Sequence, residues 1–265
     1  VVLRLLDKTQ IILGLEELGM NPHDLEKLSS FIRRLYGLVL VTGPNGSGKT
    51  TTLYSSLNII NSPDKSIATL EDPVEYQLPM VRQSQVDHES GLTFANGLRS
   101  LLRQDPDVIM VGEIRDHDTA EIAVQSALTG HLVLSTLHTN DAVGALTRLV
   151  DMKVEPVLLA AATLGVIAQR LVRKICPDCT EEYVPKPETV ESLSLPAGAK
   201  LYRGQGCDRC NNTGYRGRTG IFEVLTIDDA VRDLLVAKAP FEKIVGAARK
   251  QGMQTLREDG LEKAL

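Results

Sequence analysis

An α/β fold with a largely parallel sheet wrapped by helices is expected of this chain, on three observations. Short apolar runs of buried-strand type alternate with helix-like stretches, the pattern of successive βαβ units. The run Gly43-Pro44-Asn45-Gly46-Ser47-Gly48-Lys49-Thr50 satisfies G-x-x-x-x-G-K-[ST], a phosphate-binding loop. Carboxylates stand at the carboxyl ends of two later apolar runs, the edge where open α/β sheets bind ligands.

Leu38-Val39-Leu40-Val41 is the first strand, and Thr51 to Ile60 runs on without Pro or Gly as a helix should. Strand, loop and helix thus come in the order a phosphate site needs. The glycines let backbone N–H groups turn inward around phosphate oxygens, and the helix aims its positive end at the same place. Lys49 reaches the β- and γ-phosphates, Thr50 offers a hydroxyl to Mg²⁺, and Thr51 extends the nucleotide-binding run. A chance glycine-rich turn is the alternative; the full motif with both flanks correct argues against it.

Asn61-Ser62-Pro63-Asp64 interrupts the pattern, and Ser66 to Leu70 is the next strand, ending in Glu71-Asp72-Pro73-Val74-Glu75. Carboxylates so close together are unfavourable unless they face water, cations or a reacting group. A solvated loop is the bland reading, and the neighbouring phosphate loop favours the functional one. Asp107 to Glu113 is a further buried strand with a carboxylate at its end, a Walker B element with a departure. Gly112 stands where an acid usually precedes the Glu, so Glu113 alone must hold Mg²⁺, directly or through water, or polarise the attacking water. Thr119 to Leu128 has helical spacing, and His131 to Leu137 is a strand delivering His138, Thr139 and Asn140 to the same edge. A histidine there is more often a structural hydrogen-bonder; the sharper reading makes His138 a sensor of the γ-phosphate. Repeated alternation gives a RecA-like P-loop core rather than a kinase.

Four arginines are further candidates. Arg99 and Arg103 are expected on one face of a helix over Thr93–Leu102, Arg115 closely follows Glu113, and Arg148 lies on the helix after His138. Solvated faces or intramolecular ion pairs are the ordinary reading. The alternative places some of them at nucleotide in a subunit boundary, where a guanidinium stabilises the charge of a transferring phosphoryl group.

All four cysteines fall in one constellation, Cys176-Pro177-Asp178-Cys179 and Cys207-Asp208-Arg209-Cys210, with 27 residues between the pairs. Such spacing lets four thiolates share one tetrahedral ion, so structural zinc is expected, with redox pairs or disulfides as the alternatives. Four protein ligands leave no open position for catalysis by the metal. Glu181 to Lys200 has little apolar periodicity and is expected as a loop or irregular insert; Asn211 to Gly220 is rich in turn formers and leads to a short strand, Ile221 to Leu225. From Asp228 the pattern is helical, with apolar residues at Val231, Leu234, Leu235, Ile244, Val245 and Ala248.

A hydrophobic content of 43% and charged content of 24% are those of an ordinary globular protein. No apolar stretch approaches the roughly 18 residues of a membrane span, so any membrane association is expected to be peripheral. A formal charge of −5 argues against a broad nucleic-acid footprint. The opening Val1-Val2-Leu3-Arg4-Leu5-Leu6 has neither Met nor a charged leader and is expected to begin inside a strand.

These residues resemble the secretion and pilus-assembly ATPases of bacterial type II secretion and type IV pili, over essentially the whole chain. The resemblance rests on Gly43–Thr50 as Walker A, Thr69–Glu75 as the "Asp box", Val108–Glu113 as an atypical Walker B, Gly130–Asn140 as the "His box", and the four cysteines. In that family a Gly before the Walker B Glu is normal. The resemblance implies a homo-hexameric ring at the cytoplasmic face of the inner membrane, coupling ATP hydrolysis to a membrane platform protein that adds pilin subunits. It also implies that Glu75, or else Glu71, activates water, and that arginines such as Arg99, Arg103, Arg115 and Arg148 act at nucleotide sites or subunit contacts. The tetracysteine insert is similar to that of extension ATPases and is lacking from retraction ATPases. By the same reading residues 1–8 end a truncated N-terminal domain and linker, 9–172 form the core, 173–220 the zinc-binding module, and 221–265 a helical C-terminal subdomain, also truncated. A conjugation-type or DNA-handling motor is the alternative, and would show a basic, DNA-lining surface without such a zinc insert. A nucleotide-sensing scaffold that does not hydrolyse would need a defective loop or missing carboxylates.

Overall fold

The computed structural model describes residues 14–196 and 198–265, so the expected end of an upstream domain at 1–8 lies outside the described residues. The chain enters through helix α1 (Pro22–Ile32), capped by the Asn21 side chain accepting from the Asp24 N–H and opened by Pro22 in its first turn. Strand β1 (Gly37–Thr42) is buried along its whole length. Leu38 and Leu40 face one apolar cluster while Val39 and Val41 face the other, the period of two that a central strand covered on both faces requires.

Helix α2 (Lys49–Ile60), β2 (Ile67–Glu71), the polar edge strand β3 (Arg82–Gln85) and helix α3 (Phe94–Leu101) come next. The helix expected over Thr93–Leu102 is shorter, with Thr93 as its cap and a tighter 3₁₀ turn at Leu102–Gln104 after it. Asp105 there takes a left-handed conformation (φ 50°), next to a proline that disfavours the helical region for the residue before it. Arg99 and Arg103 are both exposed, but they do not share a continuous α-helical face. The chain continues through β4 (Val108–Val111), α4 (His117–Leu128), β5 (Leu132–Leu137), α5 (Ala142–Asp151), α6 (Pro156–Ala162) and β6 (Thr163–Ile175). Asp116 caps α4 and Asp141 caps α5, each through its carboxylate and a backbone N–H three residues on.

β7 (Thr180–Tyr183), α7 (Pro187–Leu193), β8 (Leu201–Gly204) and β9 (Tyr215–Thr226) complete the strands; α8 (Asp229–Val236), α9 (Phe241–Lys250) and α10 (Leu256–Glu262) close the described chain. The main sheet has the order β3-β2-β4-β5-β1-β6-β9, parallel except for β9 against β6. Residues of α3 to α6, α8 and α9 pack on one face and those of α1 and α2 on the other. The connection from β1 leaves toward β2, whereas the connection from β5 passes back over β1 to β6. The carboxyl edge of β1 is therefore a topological switch point, where a crevice opens between diverging loops.

Two expectations are corrected. The described residues between 181 and 200 are not wholly irregular: β7 pairs antiparallel with β8, and α7 lies between them. The strand expected at Ile221–Leu225 begins at Tyr215 and pairs with β6 as far as Ile175. Tyr215 to Arg218 is exposed, so no side-chain alternation marks it, and the backbone ladder alone makes it a strand. β6 runs through residue 172 and β9 through residue 220, so the division at 173–220 cuts both strands of one ribbon. In the C-terminal part, Val231, Leu235, Ile244 and Ala248 are buried, with Leu234 and Val245 packed beside them, as the helical pattern predicts.

Candidate nucleotide site and tetracysteine site

The loop between β1 and α2 forms the floor of an open cavity of about 610 Å³ at the switch point. Gly43 is required there: a Cβ on it would lie 2.4 Å from the Gln169 carbonyl oxygen and 2.7 Å from Ser47 Oγ. Ser47 Oγ is buried and has no hydrogen-bond partner, a donor that a phosphate oxygen in the loop would satisfy. Lys49 Nζ donates to the Gly43 carbonyl at 2.8 Å and to the Pro44 carbonyl at 3.1 Å. Burial lowers the Lys49 pKa, and the nearby Glu113 charge opposes that shift. Asn45 to Thr51 all line the cavity, so loop and helix start are brought together as expected.

Glu71, at the end of β2, is 3% exposed. One of its oxygens accepts from the Tyr54 hydroxyl; the other accepts from Thr69 Oγ1 at 2.5 Å and Gln83 Nε2 at 3.0 Å. Burial, followed by the bond to Glu71 and its charge, raises the Tyr54 pKa, so the phenol remains a donor. Tyr76 packs edge-on against Tyr54, with centroids 4.5 Å apart. Glu75 by contrast is exposed on the cavity wall.

Glu113 stands just beyond the end of β4. Its Oε1 accepts from Arg115 Nη2 at 2.5 Å, and its Oε2 lies 3.4 Å from His138 Nε2. Arg115 also lies 3.9 Å from Asp72, which has His88 at the same distance. The bond to Glu113 raises the Arg115 pKa. Gly112 sits in a tight place: a Cβ there would lie 3.2 Å from the Leu70 carbonyl oxygen and 3.3 Å from the Glu71 Cα. A side chain here would need β2 and β4 to separate by a few tenths of an ångström.

Of the four arginines, Arg115 alone lines the cavity; Arg99, Arg103 and Arg148 are exposed outside it. Sequence reasoning missed the far wall, which the β6–β9 ribbon supplies through Leu171 and Arg218, with Gln169 bonded to the loop behind it. For Gln169 a signal existed, a single amide directly after the apolar run Leu164 to Ala168 and before the charged end of the strand. Arg218 sits among turn formers and carries no comparable local signal.

At the tip of the ribbon, Cys176 directly succeeds β6, and Cys210 shortly precedes β9. The four Sγ atoms all lie within 4.8 Å of one another. Cys176–Cys207 and Cys179–Cys210 are 3.9 Å apart and Cys207–Cys210 3.7 Å. A tetrahedral ion with metal–sulfur bonds of about 2.3 Å has sulfur–sulfur edges of about 3.8 Å. The donor set thus fits a closed four-coordinate ion, and its spacing is far too long for disulfides. Backbone N–H groups of Gly206, Cys207 and Gly214 donate to these sulfurs at 3.2–3.3 Å. For Cys210, burial pushes the thiol up, but hydrogen bonds from the N–H groups of Cys207 and Gly214 and from the Cys207 and Cys179 thiols together lower the pKa to about 6.

The sequence matches the family described as type II/IV secretion system protein over residues 1–265. The chain belongs to that family. It is 55% identical over 267 residues to the type II secretion system protein E of Dickeya dadantii, covering 100% of this chain and 53% of that protein. It is 53% identical over 268 residues to the type IV pilus assembly ATPase PilB of Thermus thermophilus, covering 100% of this chain and 30% of that protein. The chain spans about half the length of the type II secretion relatives it matches. Its fold resembles the crystal structure of the pilus retraction motor PilT with bound ADP, at TM-score 0.65 and 30% identity over 96% of this chain and 67% of that one. It also resembles the Legionella pneumophila ATPase DotB, at TM-score 0.67 and 26% identity over 95% and 62% of the two chains. These neighbours support the α/β core with a P-loop at its switch point.

Proposed function

We propose that this chain hydrolyses ATP as the motor module of a type II secretion or type IV pilus assembly machine. The observation that carries the proposal is the convergence on one cavity of the phosphate loop, its unpartnered Ser47 hydroxyl, Lys49 and Glu113. Thr50 and Glu113 would hold Mg²⁺, which neutralises phosphate charge when bound. Lys49 supplies positive charge from the loop side. Glu75 orients and deprotonates the attacking water. Glu71 is the weaker candidate, because donors from Tyr54, Thr69 and Gln83 hold both of its oxygens. His138 reports the state of the γ-phosphate in this reading, which its 3.4 Å approach to Glu113 supports.

Glu75→Gln should therefore lower kcat by about 10²- to 10⁴-fold while leaving ATP affinity and melting temperature near those of the parent. Glu71→Gln should instead lower the melting temperature, since an amide cannot accept all three bonds. Full turnover in Glu75→Gln, with loss in a folded Glu71→Gln, would reverse the assignment. ATP turnover in the parent protein, measured by phosphate release, tests the proposal as a whole.

The ion at the cysteines is zinc in this reading, at one per chain and structural. Its binding energy is local folding energy for a ribbon tip that buries little apolar surface. Cys207→Ser should lose the metal by elemental analysis and become protease-sensitive near residues 176–210, while nucleotide still binds the core. Four freely reactive thiols in metal-free native protein would overturn it.

We infer that the active form is a homo-hexamer, peripheral to the inner membrane on its cytoplasmic face, acting on a platform protein of the membrane. No helix of the described residues is long and apolar enough to cross a membrane. Assembly is favoured over retraction by the tetracysteine module and by the closer identity to PilB than to PilT. A DNA-handling role is disfavoured by the net charge of −5.

A further inference from the structure

β1 makes its last pairing with β6 at Thr42↔Ala168, after which its chain turns into the phosphate loop. β6 continues, and the Gln169 side chain takes over where the ladder stops. Its Nε2 donates to the Ser47 carbonyl at 2.6 Å, and its Oε1 accepts from Thr52 Oγ1 at 2.8 Å. Gln169 is 2% exposed, Ser47 3% and Thr52 1%, so no solvent stands ready to replace these bonds. The orientation of the amide is dictated by chemistry. A carbonyl can only accept, so the nitrogen must face Ser47, which leaves the oxygen to the Thr52 hydroxyl.

The peptide between Ser47 and Gly48 is planar and trans, so its carbonyl and its N–H point in opposite directions. Holding the Ser47 carbonyl against Gln169 therefore turns the Gly48 N–H away from β6. Gly48 lines the cavity. The fit is close: a Cβ on Gly48 would lie 3.0 Å from Gln169 Nε2. We propose that Gln169 is a positioning residue for nucleotide, fixing the Ser47–Gly48 peptide so that the loop presents its N–H to a phosphate before nucleotide arrives. This rests on the reading of the cavity as an ATP site. The bond is made to the loop alone, and binding of a phosphate by the loop is common to ground state and transition state. Its loss therefore acts on KM rather than on kcat.

The test uses the intact protein that carries this chain, with Gln169→Glu and Gln169→Met. The first keeps the shape and replaces the donor by an oxygen. The second removes the donor without burying a charge, so a folded variant is available if the first does not fold. Both should raise the Kd for Mg-ADP and the KM for ATP by about 10-fold or more, with kcat within about 3-fold of the parent. Thr52→Val keeps the bond to Ser47 and should have a smaller effect, which adds nothing to that of Gln169→Met in the double variant. Folded variants with parental Kd and KM, even if their melting temperature falls, would show that Gln169 is structural only and overturn the inference. A parent protein that does not bind Mg-ADP would instead overturn the ATP-site reading beneath it.

Discussion

Lys49→Ala should lower ATP turnover by about 10²- to 10³-fold or more, because it removes a preorganised positive group from a site of developing phosphate charge. The ammonium is held in the cavity by two carbonyls of its own loop, at 2.8 and 3.1 Å from Gly43 and Pro44. Burial works against its charge, and the Glu113 carboxylate works for it. An incoming triphosphate offers oxygens that are better partners than neutral carbonyls, so Lys49 is poised to exchange one set of acceptors for another. The fold should survive the substitution. The bond to Pro44 is exposed and the bond to Gly43 only partly buried, so water replaces the lost donor at a cost of about 1 kcal/mol. The check is kcat/KM beside a thermal melt. Parental turnover in a folded Lys49→Ala would remove the phosphate loop from the mechanism.

Much of this site is legible in the sequence because its parts are local. β1 is an apolar run since both its faces are covered, and the loop after it is spelled out by glycines that only one geometry uses. Glu71, Glu75 and Glu113 are legible for a related reason: strands that end at one sheet edge deliver the residues at and beyond their carboxyl ends to the same crevice. The parts that were not legible depend on distant pairing. The outer half of the β6–β9 ribbon is exposed at Val172, Arg173 and Lys174 and at Tyr215 to Arg218, so no period-two pattern forms. Without the ribbon, Gln169 and Arg218 have no reason to approach residues more than a hundred positions earlier in the chain. The opposed fates of Glu71 and Glu75 were hidden likewise, since the donors that immobilise Glu71 come from α2, β2 and β3. Arg99 and Arg103 do not share the expected helical face for a local reason, the break of α-helical geometry ahead of Pro106.

The rate of ATP hydrolysis per chain should rise with assembly, by up to the roughly 10³- to 10⁵-fold that an arginine supplied in trans contributes. Of the candidate arginines, Arg115 is engaged by Glu113 and faces Asp72 in its own cavity. Arg99, Arg103 and Arg148 are exposed and line no part of that cavity. If any of these three acts on phosphate, it acts on that of a neighbouring subunit. Specific activity should therefore climb with protein concentration until the ring is populated, as measured by phosphate release alongside sedimentation. A mixing experiment separates this from simple stabilisation by assembly. Lys49→Ala chains have a dead site but donate intact arginines, whereas chains with alanine at Arg99, Arg103 or Arg148 have an intact loop but lack one donor. Lys49→Ala, and the alanine variant of whichever arginine crosses the boundary, should each be nearly inactive alone at a concentration that assembles the parent. Mixed, they should recover activity, because an intact loop can then sit against an intact arginine. Recovery with one arginine variant and not the others would name the residue that crosses the boundary. A rate per chain independent of concentration, with no recovery in any mixture, would mean that each subunit is catalytically complete, leaving Lys49, Arg115 and Arg218 as the cavity's own cations.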